Sequence, residues 1–506
     1  MTTPTSAPTI TTDVVIIGSG MGGGTLAYAL RNRGAKVLIL ERGGILPREP
    51  ENWSPAAVFQ HYRYRTTEEF LDRKGKPFRP SIFYGVGGNT KVYGAALPRL
   101  RREDFGALET EDGVSPAWPI TYEELEPYYA EAERLFKVHG EMGADPIEPP
   151  RSGPYPFPAV AHEPVIAELA ERFRGQGLRP YPLQLGIDIQ PGGTCIRCRT
   201  CDGFPCQVLA KSDAEMCVVR PALESPDVEL LTGARAIVLR TDASGREISS
   251  VEIDHNGERK QVIARTYVVA MSAINSAAML LRSATERHPT GLANSSDLVG
   301  RGFMMHVNSA MLAVRPQQNN TVFQKTLAVN DWYFGDSKSR LPMGNAQLLG
   351  KLQPGMLAAS VSWLPTAALK EIAGRSVDWY LMTEDLPHPD NRITLDSSGR
   401  TIMAWKPNNL GAHKRLVKAL TRTMQRAGYP LIQTRRLGDD ATAHQCGTLR
   451  FGDDPATSVL DPLCRSHDIP NLYVMDASFL PSSAAQNPAL TVAAQALRVA
   501  DKAGIA

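Results

Sequence analysis

Several features that would mark other protein classes are missing from this sequence. No run of about 18 apolar residues occurs, so no transmembrane helix is expected. The start, MTTPTSAPTITT, lacks the basic and apolar regions of a secretory signal peptide. Neither sign of charge is in excess, with 55 Lys and Arg against 53 Asp and Glu. We therefore expect a cytoplasmic protein that binds neither nucleic acid nor a membrane.

Cysteine is also scarce, with seven in 506 residues, which excludes a disulfide scaffold. Five of them nevertheless crowd into 195–217. They are Cys195, Cys198, Cys201, Cys206 and Cys217. In a reducing compartment such spacing more often indicates metal than disulfides, and four thiolates suit zinc or an iron–sulfur cluster. The spacing is not a ferredoxin pattern, and we favour free or partly paired structural cysteines.

The stretch TDVVIIGSGMGGGTLAYALRNRGAKVLILERGG predicts a strand, a tight turn, a helix and a second strand. The apolar β-branched run 13–17 fits a buried parallel strand. A helix is expected over about 22–32, because Arg33-Gly34 is a typical helix end. The second strand covers 36–40. This order is that of a dinucleotide-binding unit.

Each residue type in that unit has a physical role. Gly18 permits a sharp turn, Gly20 lets the backbone approach a pyrophosphate, and Gly23 lets helix and strand pack closely. The helix N-terminus offers free N–H groups to phosphates. Glu41, at the end of the second strand, stands where a carboxylate accepts hydrogen bonds from a ribose. The motif alone does not separate FAD from NAD.

Further motifs follow along the chain. The pair Gly87-Gly88 in GVGGNTKVYGAALPR suits a loop close to a ligand. Segments 227–239 and 261–281 contain predicted strands, the second one running into a helix. NLYVMDASFLP predicts a buried strand that ends at Asp476, and Pro488 fits the first position of a helix that continues to about residue 502.

With HPDNRITLD and HQCGTLRFG, these motifs stand in the order found in the glucose–methanol–choline (GMC) oxidoreductases, and the sequence resembles that family along nearly its whole length. The resemblance implies an FAD enzyme that oxidises alcohols. It also implies an α/β fold, α+β overall. A Rossmann-like FAD-binding domain with a parallel sheet would comprise 10–105, 190–305 and 435–506. A substrate domain built on an antiparallel sheet with helices would comprise 106–189 and 306–434.

The family places a His and a His or Asn over the flavin, and the matching positions here are His444 and Asn487. Histidine titrates near neutral pH and suits a base that takes the hydroxyl proton, while the hydride goes to flavin N5. Asn487 can orient the substrate oxygen. The alternatives are a loop histidine and a helix N-cap. His306 resembles a family position near the active site, with a structural role equally compatible, and His467 is assigned no role.

The resemblance also implies a set of FAD contacts. They are Gly18, Gly20, Gly22, Gly23, Glu41, Arg42, Gly88, Asn89, Thr90, Ala236, Asp476, Ala477 and Pro488. Some pyranose oxidases of the family attach FAD covalently through the histidine of a GGMSTHW motif. Val92 stands at that position here, so we expect non-covalent FAD. No metal ligands are assigned.

Aromatic residues are concentrated in the expected substrate domain, where they could line a sugar site or form core. They are Trp332, Tyr333, Phe334, Trp363, Trp379 and Tyr380.

Further similarity to bacterial pyranose oxidases and glycoside 3-oxidases suggests oxidation of a secondary hydroxyl, at C3 or C2 of a glucosyl unit, with O2 reduced to H2O2. Two alternatives stay open. One is a dehydrogenase that passes electrons to a quinone, a cytochrome or an iron–sulfur acceptor. The other is a zinc-bearing binding module without catalysis, against which the His444–Asn487 pair argues.

Overall fold

The computed structural model describes residues 8–359, 361 and 363–505. A five-stranded sheet whose neighbouring strands all run parallel lies at its centre. In spatial order the strands are Val228–Leu231, Val37–Leu40, Val14–Ile17, Thr266–Val269 and Leu472–Val474. Val14–Ile17 and Val37–Leu40 are buried throughout, as expected for a parallel sheet covered on both faces.

The helix Met21–Leu30 links the two strands of the glycine-rich unit. The C-terminal helix Ala489–Lys502 packs against it, and Tyr122–Leu135 packs against the C-terminal helix in turn. The hydroxyl groups of Tyr129 and Thr491 join these last two helices at 2.7 Å. Both ends of the chain therefore contribute to one layer beside the parallel sheet.

A six-stranded antiparallel sheet forms the second large element. In spatial order its strands are Tyr181–Pro182, Leu327–Val329, Asn345–Leu348, Ser376–Thr383, Val307–Val314 and Leu431–Arg436. One face packs apolar side chains against the helices Pro164–Arg174 and Leu410–Arg426. Because side chains alternate along a strand, Asn308, Tyr380 and Gln347 lie on the other face. This sheet thus has one apolar and one polar face.

The remaining strands form four smaller sheets among the described residues. Two have four strands, one with Thr9–Thr11, Glu258–Ile263, Ile248–His255 and Ala234–Thr241, the other with Arg392–Leu395, Thr401–Ala404, Phe70–Asp72 and Pro77–Phe78. A three-stranded sheet contains Leu185–Gly186, Val138–Gly140 and Phe157–Pro158, and a two-stranded sheet pairs Leu108–Glu109 with Val114–Ser115. The other α-helices are Arg220–Ala222, Ala273–Arg282, Pro354–Ala358 and Thr366–Arg375. Shorter 3₁₀ or π turns cover Pro50–Trp53, Ala56–Gln60, Gly88–Lys91, Arg102–Phe105, Glu215–Val219 and Ala477–Phe479.

The predicted α/β class, with a parallel and an antiparallel sheet, is confirmed. The predicted glycine-rich unit is present, with ends shifted by one or two residues. Segment 227–239 contains two strands that belong to different sheets, because Gly233 (φ +65°) turns the chain between them. The strand in NLYVMDASFLP ends at Val474, two residues before Asp476, and Pro488 immediately precedes the last helix instead of opening it.

The expected division into an FAD-binding and a substrate-binding domain stays a prediction. The strands of the parallel sheet come from three separate parts of the chain, 14–40, 228–269 and 472–474. A mixed sheet pairs Phe70–Asp72 with Thr401–Ala404 and so joins the two expected units. Among the described residues, no helix is both long and apolar enough to cross a membrane.

Candidate active site

Three glycines bring the first helix directly against the ends of the parallel strands. They are Gly18, Gly22 and Gly23, at each of which a methyl group would overlap a nearby backbone carbonyl oxygen. Gly18 also has φ +112°, in the left-handed region that favours glycine. The structure therefore requires these positions to lack side chains, as the motif predicts.

Gly20 differs from the other glycines of the turn. Among the described residues, no atom other than those of its chain neighbours lies within 4 Å of the position that its Cβ would take. In the part of the chain that the structure describes, a Cβ on Gly88, from the second glycine loop, would meet Gly20, with Cα at 3.4 Å. Gly20 caps the helix Met21–Leu30, and no side chain satisfies the N–H groups there. Two bare backbone segments and a helix N-terminus thus border an open space, which suits a pyrophosphate.

Glu41 is buried at the carboxyl end of the second strand. Its carboxylate accepts hydrogen bonds from the hydroxyl of Ser19 at 2.7 Å and from the backbone N–H groups of Ser19 (3.2 Å) and Gly43 (3.0 Å). Burial raises its pKa, which these hydrogen bonds partly oppose. Glu41 therefore holds the glycine-rich turn, and its contact with a ribose stays a prediction.

Arg42 points to a neighbouring carboxylate and ring. It pairs with Glu68 at 2.8 Å, and its guanidinium lies 3.8 Å from the centre of the Tyr84 ring. Ala236 lies buried in Ala234–Thr241, at a point where the strand register shifts. Neither residue is part of the glycine-rich turn, so their FAD contacts stay predictions.

Asn89 and Thr90 shape the second glycine loop from within. The side-chain oxygen of Asn89 accepts a hydrogen bond from the N–H of Phe83 at 2.8 Å. The Thr90 hydroxyl donates to the carbonyl of Gly87 at 2.5 Å and accepts from the N–H of Ala214 at 2.9 Å. Both side chains fix the backbone of the loop that approaches Gly20.

Asp476 links two loops at the same edge of the parallel sheet. Its carboxylate accepts from the N–H of Ser272 at 3.0 Å, from the Ser276 hydroxyl at 2.5 Å and from the N–H of Ser478 at 2.8 Å. Burial raises its pKa. Ser272 has φ +80°, and its buried hydroxyl has no hydrogen-bond partner among the described residues. Ala477 follows in the short turn Ala477–Phe479.

The residues present fit a dinucleotide. Gly18, Glu41, Ser272 and Asp476 all follow strands of the parallel sheet and meet at its carboxyl edge, where ligands bind in open α/β sheets. The open space at Gly20 and the unpartnered Ser272 hydroxyl leave room and a polar contact for such a ligand.

His444 and Asn487 are brought together from two loops 43 residues apart. Asn487 Nδ2 lies 3.4 Å from His444 Nε2, so the amide can donate towards the lone pair of that nitrogen. The amide oxygen of Asn487 is buried and has no partner among the described residues. Pro488 occupies the cap position of the last helix, so Asn487 is not its N-cap.

His306 sets the tautomer of His444. His306 Nε2 lies 2.9 Å from the carbonyl oxygen of Ser483, which can only accept, so this nitrogen carries the proton. In a neutral ring Nδ1 then bears the lone pair, and His444 Nδ1 lies 2.9 Å from it. His444 must therefore donate through Nδ1–H, which leaves its Nε2 lone pair beside Asn487.

Both imidazoles are held neutral. Burial lowers the pKa of His306 from 6.5 to about 4. The pKa of His444 lies well below its ordinary value, because burial disfavours its charged form and the nearby His306 and Lys325 disfavour it further. The Nε2 lone pair of His444 is therefore available throughout the neutral pH range.

The loops that carry the pair are fixed by buried contacts. His444 itself has φ +59°, a left-handed value that is uncommon outside glycine and is typical of strained functional positions. The Ser483 hydroxyl accepts from the N–H of Asp385 and contacts its carbonyl, both at 3.0 Å. The N–H of Ala485 donates to the Tyr333 hydroxyl at 3.1 Å.

The aromatic residues divide between core and site. Trp332 and Trp379 belong to the apolar core of the six-stranded sheet, and Trp363 is 79% exposed. Tyr333 is buried and also bonds to the carboxylate of Asp104. Tyr380 lies edge-on to His444, with ring centres 6.2 Å apart. Phe334 packs against Tyr333.

The cysteine segment shows no metal geometry. All seven cysteines are free thiols. Throughout residues 8–359, 361 and 363–505, no group of three or more His, Cys, Asp or Glu side chains is arranged to hold a metal ion. Burial raises the pKa of Cys201 and Cys217 to about 12, so these thiols stay protonated. His467 contacts the Ser458 hydroxyl at 3.0 Å.

Comparison with known proteins decides the family. Residues 80–308 and 387–496 each match a family model described as GMC oxidoreductase, and 16–46 match a model of an NAD(P)-binding Rossmann-like domain. The chain is 32% identical to 6'''-hydroxyparomomycin C oxidase of Streptomyces lividus, over 96% of this chain and 90% of that protein. The chain belongs to the GMC oxidoreductase family.

Other relatives of this GMC oxidoreductase include oxidases and dehydrogenases. It is 32% identical to paromamine 6'-oxidase of Streptomyces fradiae, over 96% of this chain and 90% of that protein. It is 28% identical to the fructose dehydrogenase large subunit of Gluconobacter japonicus, over 98% of both chains. Pyridoxine 4-oxidase from Mesorbium loti shares the fold, with a TM-score of 0.67 at 18% identity over 97% of this chain and 99% of that one.

The GMC oxidoreductase is thus an FAD enzyme. The residues that fit the cofactor are those at the carboxyl edge of the parallel sheet. Sequence motifs identified most of them, but they did not reveal Ser272. Its role becomes visible only from its backbone conformation, with φ +80°. The contact of His306 with His444 also has no local signal, because the two residues are 138 positions apart.

Proposed function

We propose that this GMC oxidoreductase oxidises a secondary hydroxyl of a sugar or glycoside, at C3 or C2 of a glucosyl unit, to a keto-sugar. The observation that supports it is the His444–Asn487 pair, in which His444 Nε2 is unprotonated and stands beside an amide donor. This pair can accept one proton and hold one oxygen, which is what the oxidation of an alcohol requires.

In this mechanism His444 Nε2 takes the hydroxyl proton, and Asn487 Nδ2 donates a hydrogen bond to the substrate oxygen. The Nδ1–H of His444 stays bonded to His306, which keeps the ring oriented while it becomes charged. FAD supplies the hydride acceptor when it is bound. We also propose that this FAD is non-covalent, because Val92 has no group that could form a bond to it.

A sugar substrate agrees with the polar face of the six-stranded sheet. Buried side-chain oxygens on that face, such as those of Asn308 and Gln347, have no hydrogen-bond partner among the described residues. Such groups are costly to bury unless a ligand pairs with them. The name of one relative, paromamine 6'-oxidase, specifies oxidation at a 6' position, so oxidation at a primary hydroxyl is the competing regiochemistry.

For the electron acceptor we propose O2, with release of H2O2, because two relatives are named as oxidases. The similarity to the fructose dehydrogenase large subunit favours the second candidate, a dehydrogenase with another acceptor. The seven free thiols agree with a reducing compartment and so with the proposed cytoplasmic location.

The first test is anaerobic titration of the purified holoenzyme with glucose and a panel of glycosides. Bleaching near 450 nm, followed by recovery in air with H2O2, would support a sugar oxidase. Bleaching without recovery in air would indicate the dehydrogenase, and no bleaching with any sugar would refute the substrate class. Product analysis by NMR then distinguishes a 2- or 3-keto sugar from a 6-aldehyde.

Replacement of the proposed base gives a second test. His444→Ala should slow flavin reduction at least about 100-fold, the usual contribution of a general base. His467→Ala, a loop histidine outside the site, is the matched control and should reduce at the wild-type rate. An unchanged rate in His444→Ala would remove this residue from the mechanism.

A further inference from the structure

An ion pair lies beside the catalytic pair and takes no part in the mechanism above. Lys325 Nζ donates to a carboxylate oxygen of Asp202. The lysine side chain is 3% exposed and the aspartate side chain is 20% exposed. A charged pair that is nearly removed from water is costly to build, so its retention at this place calls for an explanation.

Three parts of the chain converge to form this pair. Asp202 belongs to the cysteine-rich segment, and Lys325 precedes the strand Leu327–Val329 of the six-stranded sheet. Gly94 follows the second glycine loop, and a methyl group there would overlap both the ammonium and the carboxylate. The pair therefore occupies the space between the predicted flavin loop and the sheet, and a side chain at position 94 would displace both charged ends.

The strand registers place the pair in the part of the six-stranded sheet that carries Tyr380, since Ala328 pairs with Gln347 and Gln347 pairs with Tyr380. The other oxygen of the Asp202 carboxylate accepts from the N–H of Gly350 at 2.6 Å, just beyond the strand Asn345–Leu348. In this antiparallel register Lys325 precedes Ala328 by three residues and Gly350 follows Gln347 by three, so both lie on the same side of Tyr380. Burial, then the charges of His306 and Lys325, lowers the pKa of His444, and burial, then the charge of Asp202, raises the pKa of Tyr380. Tyr380 in turn lies against His444.

The pair also has hydrogen-bonding capacity to spare. The ammonium has three N–H groups, and Asp202 is its hydrogen-bond partner among the described residues. Each carboxylate oxygen accepts one hydrogen bond and has room for another. Adjacent sugar hydroxyls both donate and accept, so they match a site with two free donors and two free lone-pair positions.

We propose that the Asp202–Lys325 pair is a specificity-determining contact that binds hydroxyl groups of the substrate and selects neutral sugars over charged ones. An amino sugar would meet the ammonium of Lys325, and a uronic acid would meet the carboxylate of Asp202. Neither charged group would recover its lost hydration in the water-poor site, whereas neutral hydroxyls bond to both members of the pair. This inference rests on the proposed oxidation of sugars.

The experiment compares kcat/KM of the holoenzyme for a methyl glucoside, a methyl glucosaminide and a methyl glucuronide. Lys325→Met leaves the carboxylate unpaired and should raise the preference for the amino sugar over the neutral one at least about tenfold. Asp202→Asn leaves the ammonium unpaired and should raise the preference for the uronide by a similar factor. Each single variant should lose about 10- to 100-fold in kcat/KM for the neutral glucoside, as expected when a charge-assisted hydrogen bond is lost.

Further variants control for indirect effects. The double variant Asp202→Asn/Lys325→Met should return to the wild-type charge preference, but its KM should stay as high as in the single variants. Gly94→Ala should raise KM for all three sugars without changing the charge preference, because its methyl group displaces the ammonium and the carboxylate together. Lys36→Met, which removes the ammonium of an exposed pair on the parallel sheet, should match wild type. FAD content and thermal unfolding check that each variant is folded.

The outcomes separate this inference from the proposed function. Wild-type enzyme that oxidises neutral sugars, with single variants that keep its KM and its charge preference, would overturn the role of the pair alone. Single variants that shift the preference in the same direction would also overturn it. Wild-type enzyme that is reduced by none of the three sugars would instead overturn the proposed oxidation of sugars.

Discussion

The contact between His306 and His444 makes a quantitative prediction about catalysis. Leucine at position 306 removes the lone pair that accepts the Nδ1–H of His444. Either this N–H is left unsatisfied in a buried place, or the ring shifts its proton to Nε2 and loses its function as a base. Leaving a buried donor unsatisfied costs about 1 to 3 kcal/mol. His306→Leu should therefore slow substrate-driven flavin reduction by about 5- to 150-fold.

Asparagine at the same position provides the matched comparison. Its Oδ1 can stand near the place of the histidine Nδ1 and can accept the same hydrogen bond. His306→Asn should therefore retain more of the reduction rate than His306→Leu. Both variants should bind substrate with nearly wild-type affinity, because His306 touches His444 and Ser483 and acts through them.

Anaerobic stopped-flow measurements at 450 nm give the rate of reduction and its dependence on substrate concentration. The pH profile adds a readout that loss of packing alone would not move. In wild type the rate should be flat at neutral pH, since the pKa of His444 is well below 6.5. A leucine variant with the wild-type rate and profile would refute the tautomer argument. Equal losses in both variants would indicate that His306 acts through its shape.

Three other predictions concern the cofactor and the pH dependence of stability. Gly20→Ala should leave the apoprotein as stable as wild type but weaken FAD binding in a fluorescence titration. Gly22→Ala, whose methyl group would overlap the carbonyl oxygen of Met475, should lower the unfolding temperature even without FAD. Equal effects of the two variants on the stability of the apoprotein would contradict this. His413 has a pKa of about 4, below its ordinary 6.5, so it stabilises the fold above pH 6.5 and this contribution is lost as pH falls. Between pH 7.5 and pH 5 the unfolding free energy of wild type should fall by about 2 kcal/mol more than that of His413→Gln, as measured by urea titration of both proteins. Burial raises the pKa of Glu384 to about 8, so its ionisation lowers the stability of the fold as pH rises. The unfolding free energy of Glu384→Gln should therefore gain about 2 to 3 kcal/mol over that of wild type from pH 6 to pH 9. Parallel pH curves for variant and wild type would refute either assignment.

The cofactor region was the most predictable part of the protein. The spacing of Gly18, Gly20, Gly23 and Glu41 reports on a local unit of two strands and one helix, and the structure contains that unit. Glycine positions are informative because a side chain there would collide with backbone. The strand in NLYVMDASFLP was expected to reach Asp476, but that residue caps the next turn, since its carboxylate bonds to the N–H of Ser478.

The candidate active site was predictable only in part. The family resemblance pointed to His444 and Asn487, and the structure brings them within 3.4 Å. Their protonation states were out of reach, because these depend on burial and on the orientation of a carbonyl group from Ser483. The aromatic cluster was ambiguous for the same reason, since composition does not distinguish Trp379 in the core from Tyr380, whose side chain points to the opposite face of the same strand.

The sequence by itself determined the dinucleotide unit, the family and the two loops that carry the proposed catalytic pair, because these are encoded in short motifs with local geometry. Only the tertiary structure decided which tautomer His444 adopts and which groups surround it. Lys325 and Asp202 are 123 positions apart and meet through the packing of a loop on a sheet. Such contacts depend on distances between elements that are remote in the chain, and no spacing within the sequence encodes them.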